Sequence, residues 1–245
     1  MLNCSEILAG LRALGVQSGM TLEVHASLSS LGPVDGGADA VLDALMESVG
    51  TQGALVMPAF RLSPNQPLSD DDLRMCLTMK IKILPEDAER TAMGLVADTF
   101  RGRPDVITGE GIFRVSAWGK DAALNAAGFQ HLIDSGGYAL LLGVDIYRLS
   151  AMHYVEDAMP EEIRARFRPG PQALEKYPEG SWLIEAWTPE ARPWYRIQDA
   201  ARAKGLIVEG RVGAAKCMLL PVKPVIELYR RALLCDPLGL YGLRN

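Results

Sequence analysis

The chain has 245 residues and a formal net charge of −5 at pH 7, enough for one large domain or two small ones. No apolar run approaches the roughly 18–20 residues that cross a bilayer. The acidic balance argues against nucleic acid, whose binders carry a basic stripe, and suits a cationic small molecule instead. MLNCSEILAGLRALG has no basic stretch ahead of an apolar one, so it reads as an amphipathic helix rather than a secretion signal. Cys4, Cys76, Cys217 and Cys235 are scattered without CxxC spacing and read as reduced thiols of a cytoplasmic protein.

In chain order, Ser5 is the expected cap of a first helix. Its apolar Ile7, Leu8, Leu11 and Leu14 share one face, and Gly15 lies just past its end. TLEVHASL starts as a short strand and runs out into a loop. In GPVDGGADAVLDALMESVG, Val41, Leu42, Leu45, Met46 and Val49 keep helical spacing, and Gly50 suits the C-terminus. GALVMPAF reads as a second buried strand stopped by Pro58. Residues 61–90 are less regular, and the run Asp70, Asp71, Asp72 reads as a solvated helix start. ERTAMGLVADTFRG resumes a helical pattern through Met93, Val96 and Phe100. VITGEGIFRVSAWGKDA reads as loop, GYALLLGVD as a third buried strand, and SAMHYVEDAM as loop into helix. Residues 160–196, rich in proline and tryptophan, read as irregular. GLIVEGRVGAAKCMLL resembles a hairpin and KPVIELYRRALLC a final helix. Short apolar strands alternating with helices to about residue 150 predict an α/β layered sheet with helices on both faces. The expected organisation is one domain with an irregular substrate-side segment at about 160–200.

The chemistry-bearing stretch is SAMHYVED. His153 and Glu156 are three apart, so on a helix they share a face. Imidazole is the usual general base near neutral pH, and a carboxylate beside it fixes the tautomer and stabilises the imidazolium. The pair follows the strand GYALLLGVD, and open α/β sheets gather ligand sites beyond the carboxyl ends of their strands. By spacing alone, a helix-terminal histidine beside a solvated glutamate fits as well. A catalytic zinc normally takes three protein ligands, and the two remaining imidazoles, His25 and His131, sit in no ligand-spaced motif. No metal is expected. Cys217 lies in an apolar run without an activating signature. HASLSSLG and the glycine pair before the second helix offer free backbone N–H groups for an anionic or polar ligand. The bland alternative is a loop whose serines satisfy its own backbone. Trp182, Trp187 and Trp194 fall among Glu179, Glu185 and Glu190. That composition suits a polyamine or amino sugar, or else the ordinary core of an insertion.

Together these fragments resemble the aminoglycoside 3-N-acetyltransferase family, including its YokD-like members. VHASLSSLGPVDGGADAVLDALMESVGTQGALVMPAF is similar to the family's opening block, with its His-x-Ser-Leu loop, Gly-Gly helix start and Met-Pro strand end. AMGLVADTFRGRPDV is similar to its Met-Gly helix and the Phe-Arg that follows. SAWG matches the block after its coenzyme-binding loop. ALLLGVD followed by MHYVED resembles its strand and His-Tyr-x-Glu motif, and GRVGAAKCMLL its closing segment. The resemblance covers most of residues 5–157 and about 205–235. It implies a three-layer α/β/α fold around a mixed sheet, unlike the GNAT acetyltransferases. It implies acetyl-coenzyme A (acetyl-CoA) as co-substrate, His153 as general base and Glu156 as its partner. It also places His25, Ala26, Ser27 and Leu28 along the pantetheine arm, and Thr108 and Arg114 in the coenzyme-binding loop. Where that loop usually reads Ser-x-His-Pro-x-x-Ser, this sequence has TGEGIFRVS. Glu110 stands near the histidine's place, Gly111 near the proline's, and Arg114 near the later serine's.

Three functions follow as expectations. The first is acetyl-CoA-dependent N-acetylation of an aminoglycoside. The second is acylation of a different amine by the same fold, suggested by the altered loop and the unmatched 160–200 segment. The third is a binding protein or metal hydrolase that keeps only the fold.

Overall fold

The structure is a computed structural model and describes residues 1–244. The helices are α1 (Cys4–Leu14), α2 (Gly37–Val49), α3 (Asp70–Arg74), α4 (Leu95–Arg101), α5 (Ala122–Ala126), α6 (Gln130–Asp134), α7 (Glu161–Phe167), α8 (Pro171–Lys176), α9 (Pro193–Ala203), α10 (Val222–Cys235) and α11 (Pro237–Leu240). The strands are β1 (Thr21–Ala26), β2 (Ala54–Pro58), β3 (Met79–Lys82), β4 (Ile107–Thr108), β5 (Val115–Gly119), β6 (Tyr138–Leu142), β7 (Trp182–Glu185), β8 (Val208–Val212) and β9 (Ala215–Pro221). Three 3-10 helices, Leu28–Leu31, Ile146–Arg148 and Ser150–Ala158, complete the chain.

Seven strands form one mixed sheet in the order β4-β5-β2-β1-β6-β9-β8. β1 runs parallel to β2 and β6, and the outer pairings are antiparallel. Strand side chains alternate between faces. Leu22 and Val24 of β1, Leu55 and Met57 of β2, and Leu140 and Leu142 of β6 pack with α1, α2 and α4. Val56, Ala139 and Leu141 face the opposite core with α6, the Ser150–Ala158 helix, α9 and α10. Two apolar cores on one sheet make the α/β/α layering that the resemblance implied. Among the described residues no helix is long and apolar enough to cross a membrane.

Several local expectations need correction. Asn3, not Ser5, caps α1: its side chain accepts from the Glu6 N–H at 2.9 Å, and Glu6 accepts back from Asn3 N–H. Ser5 lies inside the first turn and donates to Asn3. The stretch ending in VSAWG is not all loop. Val115 and Ala117 are buried and β5 pairs along all of β2, with Ser116 between them masking the alternation. The ERTAMG stretch is a bend followed by a turn, and the helix begins only at Leu95. Residues 160–200 are not irregular either, since they hold α7, α8, β7 and most of α9.

β7 pairs with β3 in a separate two-stranded sheet. That sheet covers a thin core of Leu77, Ala173, Tyr177 and Ile184. Asp70–Asp72 do start a helix, but Asp72 is not solvated. It is fully buried, closes a capping box with Ser69, and takes Lys80 Nζ at 2.5 Å and Tyr177 Oη at 2.6 Å. Burial alone raises the Asp72 pKa, but the hydrogen bonds from Lys80, Tyr177 and Ser69 outweigh it and hold the carboxyl well below its usual range. A depressed acid stabilises the fold fully above its unfolded pKa of about 4, and that stabilisation fades as pH falls below it. Removing one partner of such a buried pair costs about 3 kcal/mol. Asp72→Asn should therefore lower Tm at pH 7 by about 6–12 °C. The gap to the parent should narrow in melts recorded at progressively lower pH below 4.

Candidate active site

The carboxyl ends of β1 and β6 emerge side by side, with His25 opposite Leu141 and Ala26 opposite Leu142. The chain leaves β6 through Gly143 and turns into the helix Ser150–Ala158. Gly143 has φ of 68°, and a Cβ there would stand 2.4 Å from Ser30 Cβ. Only glycine lets this turn press against the HASLSS loop. Ser30 Oγ donates to Gly143 O at 3.2 Å and to Ser27 Oγ at 2.8 Å.

The helix that follows is 3-10 over nine residues, not α. Ala151, Met152 and Val155 are buried and hold it to the sheet. Tyr154 Oη, accepting from Phe129 N–H at 2.9 Å, fixes its outer side. In a 3-10 helix residues three apart eclipse one another. His153 and Glu156 therefore stack directly, with Nδ1 3.0 Å from Oε1. The ring is 57% exposed, and a donor role for Nδ1 toward the carboxylate would leave the Nε2 lone pair free. Trp194 of α9 meets the ring edge-to-face at 5.0 Å.

Desolvation works against a charged His153. The Glu156 hydrogen bond and the charges of Glu156, Glu185 and Glu23 outweigh it, and the pKa is raised above its ordinary value. Glu185, at the end of β7, is pushed up to about 7 by burial and by Glu156, with His153 pulling the other way. His153 and Glu185 are thus coupled, each charge shifting the other. Glu185 and Trp194 were legible only as members of an acidic, tryptophan-rich segment. Trp182 and Trp187 pack instead against Tyr177 and against Phe167 and Tyr241.

The other expected residues fall along the same sheet edge. β5 starts where β2 ends, Val115 opposite Pro58, and Thr108 pairs with Ser116. Thr108 and Arg114 therefore sit across β2 from Ala26, Ser27 and Leu28. Thr108 Oγ1 is 2.8 Å from Ser116 Oγ. Arg114 is turned inward and donates to Ala59 O and Glu86 O at 3.1 and 3.0 Å. Burial, then the nearby Arg101 and Arg61, lowers its pKa. Glu110 is exposed, where water screens its charge. His25 is buried, with Nε2 2.7 Å from Glu23 Oε1. His131 lies apart on α6 beside Asp121. Among the described residues no group of three or more His, Cys, Asp or Glu side chains is placed to hold a metal ion. A cleft of about 1270 Å³ opens between the Gly143–Asp145 turn, Gln198 and Arg202 of α9, and the β8–β9 hairpin.

The chain belongs to the aminoglycoside 3-N-acetyltransferase family, whose model matches residues 24–233. It is 28% identical over 247 residues to the SPbeta prophage-derived aminoglycoside N(3')-acetyltransferase-like protein YokD of Bacillus subtilis, covering 89% of this chain and 87% of that protein. Its fold matches the aminoglycoside acetyltransferase AAC(3)-IIb with a TM-score of 0.72 at 24% identity, covering 96% of this chain and 98% of the other. AAC-IIIb, solved as a binary complex with CoASH, matches with a TM-score of 0.68 at 18% identity, covering 99% and 98%. The protein is an acetyl-CoA-dependent acetyltransferase.

If the acidic set holds the His153 proton, removing one charge should release it. Glu185→Gln should move the acid limb of the kcat/KM profile for the amine to lower pH. Thiol release from acetyl-CoA measured across pH 5.5–9 checks this, and an unmoved limb would separate Glu185 from the imidazole.

Proposed function

We propose that this enzyme acetylates an amine of a polycationic aminoglycoside by direct attack, with His153 as general base and Glu156 as its orienting partner. The supporting observation is the 3.0 Å Nδ1–carboxylate contact, which leaves Nε2 open. Acetyl-CoA supplies an activated acyl carbon, and its thiolate departs as the amide bond forms. The acceptor nitrogen attacks as the neutral amine, the minor form at pH 7, and a proton must leave it as the C–N bond forms. Nε2 takes that proton, and Glu156 stabilises the imidazolium. Ser27 N–H already donates to Leu142 O at 2.9 Å. Donors for the developing oxyanion therefore have to come from the turn that follows it or from the turn after β6.

The residues present fit the coenzyme. Ala26, Ser27 and Leu28 lie at the sheet edge, where Ser27 has a hydroxyl to offer, and His25 precedes them at the end of β1. Thr108 stands on β4, two strands beyond β2, and Arg114 contributes by anchoring the 110–114 loop. On the acceptor side, Glu156, Glu185 and the Trp194 ring give a cationic amine both charge and an aromatic face. An amino sugar or another metabolite amine shares that chemistry, so the acceptor panel has to include both.

General-base catalysis contributes about 10²–10⁴-fold. His153→Ala should lower kcat by that much over a panel of aminoglycosides and simple amines, with acetyl-CoA affinity by calorimetry unchanged. Turnover within twofold of the parent would remove His153 from the chemistry. Thiol release with simple amino sugars but no aminoglycoside would move the enzyme to the second acceptor class.

A further inference from the structure

Glu23 is a charged residue at the centre of a buried strand, and the chemistry described so far makes no use of it. It projects from β1 into the core shared with Val56 and Ala139, its neighbours in register, and it is fully buried. Its Oε1 accepts from His25 Nε2 at 2.7 Å and from Ala151 N–H at 3.2 Å. Ser150 N–H points at the same His25 nitrogen from 3.4 Å. With Nε2–H committed to Glu23, that nitrogen has no lone pair for the Ser150 N–H.

Ser150 and Ala151 open the helix that carries His153, and Leu149 before them offers no side-chain cap. The first N–H groups of a helix need acceptors from somewhere. Here the cap is supplied by another element, the middle strand of the sheet. The remaining Glu23 oxygen, Oε2, is buried without a partner among the described residues. A half-satisfied buried carboxylate is a costly way to cap a helix, and a neutral side chain would do it more cheaply. The charge itself therefore has a use. The groups facing His153 are Glu156 on its own helix, Glu185 on β7 and Glu23 on β1, with Trp194 of α9 uncharged.

We propose that Glu23, held by His25, is a positioning residue: it anchors the first turn of the His153 helix and places a negative charge against the Ala151 N–H, two residues before the imidazole. The inference rests on the reading of His153 as proton acceptor. Two variants separate its parts. Glu23→Gln keeps the reach and removes the charge. Glu23→Asp keeps the charge and withdraws it by one methylene from Ala151.

The chain has three histidines, so their ring signals can be followed individually by NMR in the resting enzyme, assigned with His25→Asn and His153→Ala. In Glu23→Gln the His153 titration midpoint should fall, and the acid limb of kcat/KM should fall with it. In Glu23→Asp the midpoint should stay near that of the parent while kcat drops about tenfold and KM for acetyl-CoA holds. That is the loss expected when a catalytic group is displaced by a fraction of an ångström. A parent-like His153 midpoint in folded Glu23→Gln would overturn the charge, and a parent-like kcat in Glu23→Asp would overturn the anchor. If Glu23→Gln does not fold, Glu23→Asp and the His25→Asn enzyme still report kcat and the His153 midpoint. The NMR arm stands even if His153→Ala proves active, so failure here and failure of the proposed chemistry read differently.

Discussion

The arrangement depends on a helical pitch. Three residues per turn, rather than 3.6, bring Glu156 into line with His153, with Oε1 3.0 Å from Nδ1. In an α-helix the same two residues would be offset around the barrel of the helix. The buried side of this stretch keeps the tight pitch, because Ala151, Met152 and Val155 all reach the core. The open nitrogen of His153 is then a consequence of backbone geometry and packing together.

Around that helix the fold gathers two contrasting environments. The strand ends of β1, β2 and β5 bring small hydroxyl-bearing residues and a buried arginine to one edge. The β3–β7 pair brings acidic Glu185 to the other side of the imidazole. On the proposed reading, a thioester carrier and an amine acceptor have different electrostatic needs, and these two environments would serve them from opposite sides of the imidazole. Gly143 is the hinge of this division. Its close approach to Ser30 ties the loop after β1 to the turn after β6, so neither can drift without the other.

Much of this was legible in the residues. The three apolar runs became β1, β2 and β6, and the His-x-x-Glu spacing became the contact at the sheet edge. What was hidden had physical causes. Asn3 was overlooked because Ser5 also has capping chemistry. β5 hid because its partner strand satisfies a sequence with weak alternation. Asp72 looked solvated because two of its partners, Lys176 and Tyr177, lie 104 and 105 residues further along the chain. Glu185 and Trp194 could not be placed at the site because nothing local says that β7 pairs with β3. Glu23 was visible as a lone charge in an apolar strand two residues before His25, on the same face. That period-two relation was the available signal.

The β3–β7 unit carries its own lesson. Its apolar core is four residues deep, and its cohesion comes mostly from one buried ionic knot. The main sheet is braced by two large cores and by contrast has little to fear from mild heating. Warming should therefore loosen the flap bearing Glu185 before it disturbs His153 or the strand ends. An enzyme in that partly relaxed condition would keep its acyl-transfer centre but greet acceptors less selectively, so discrimination and turnover would decay on different thermal schedules.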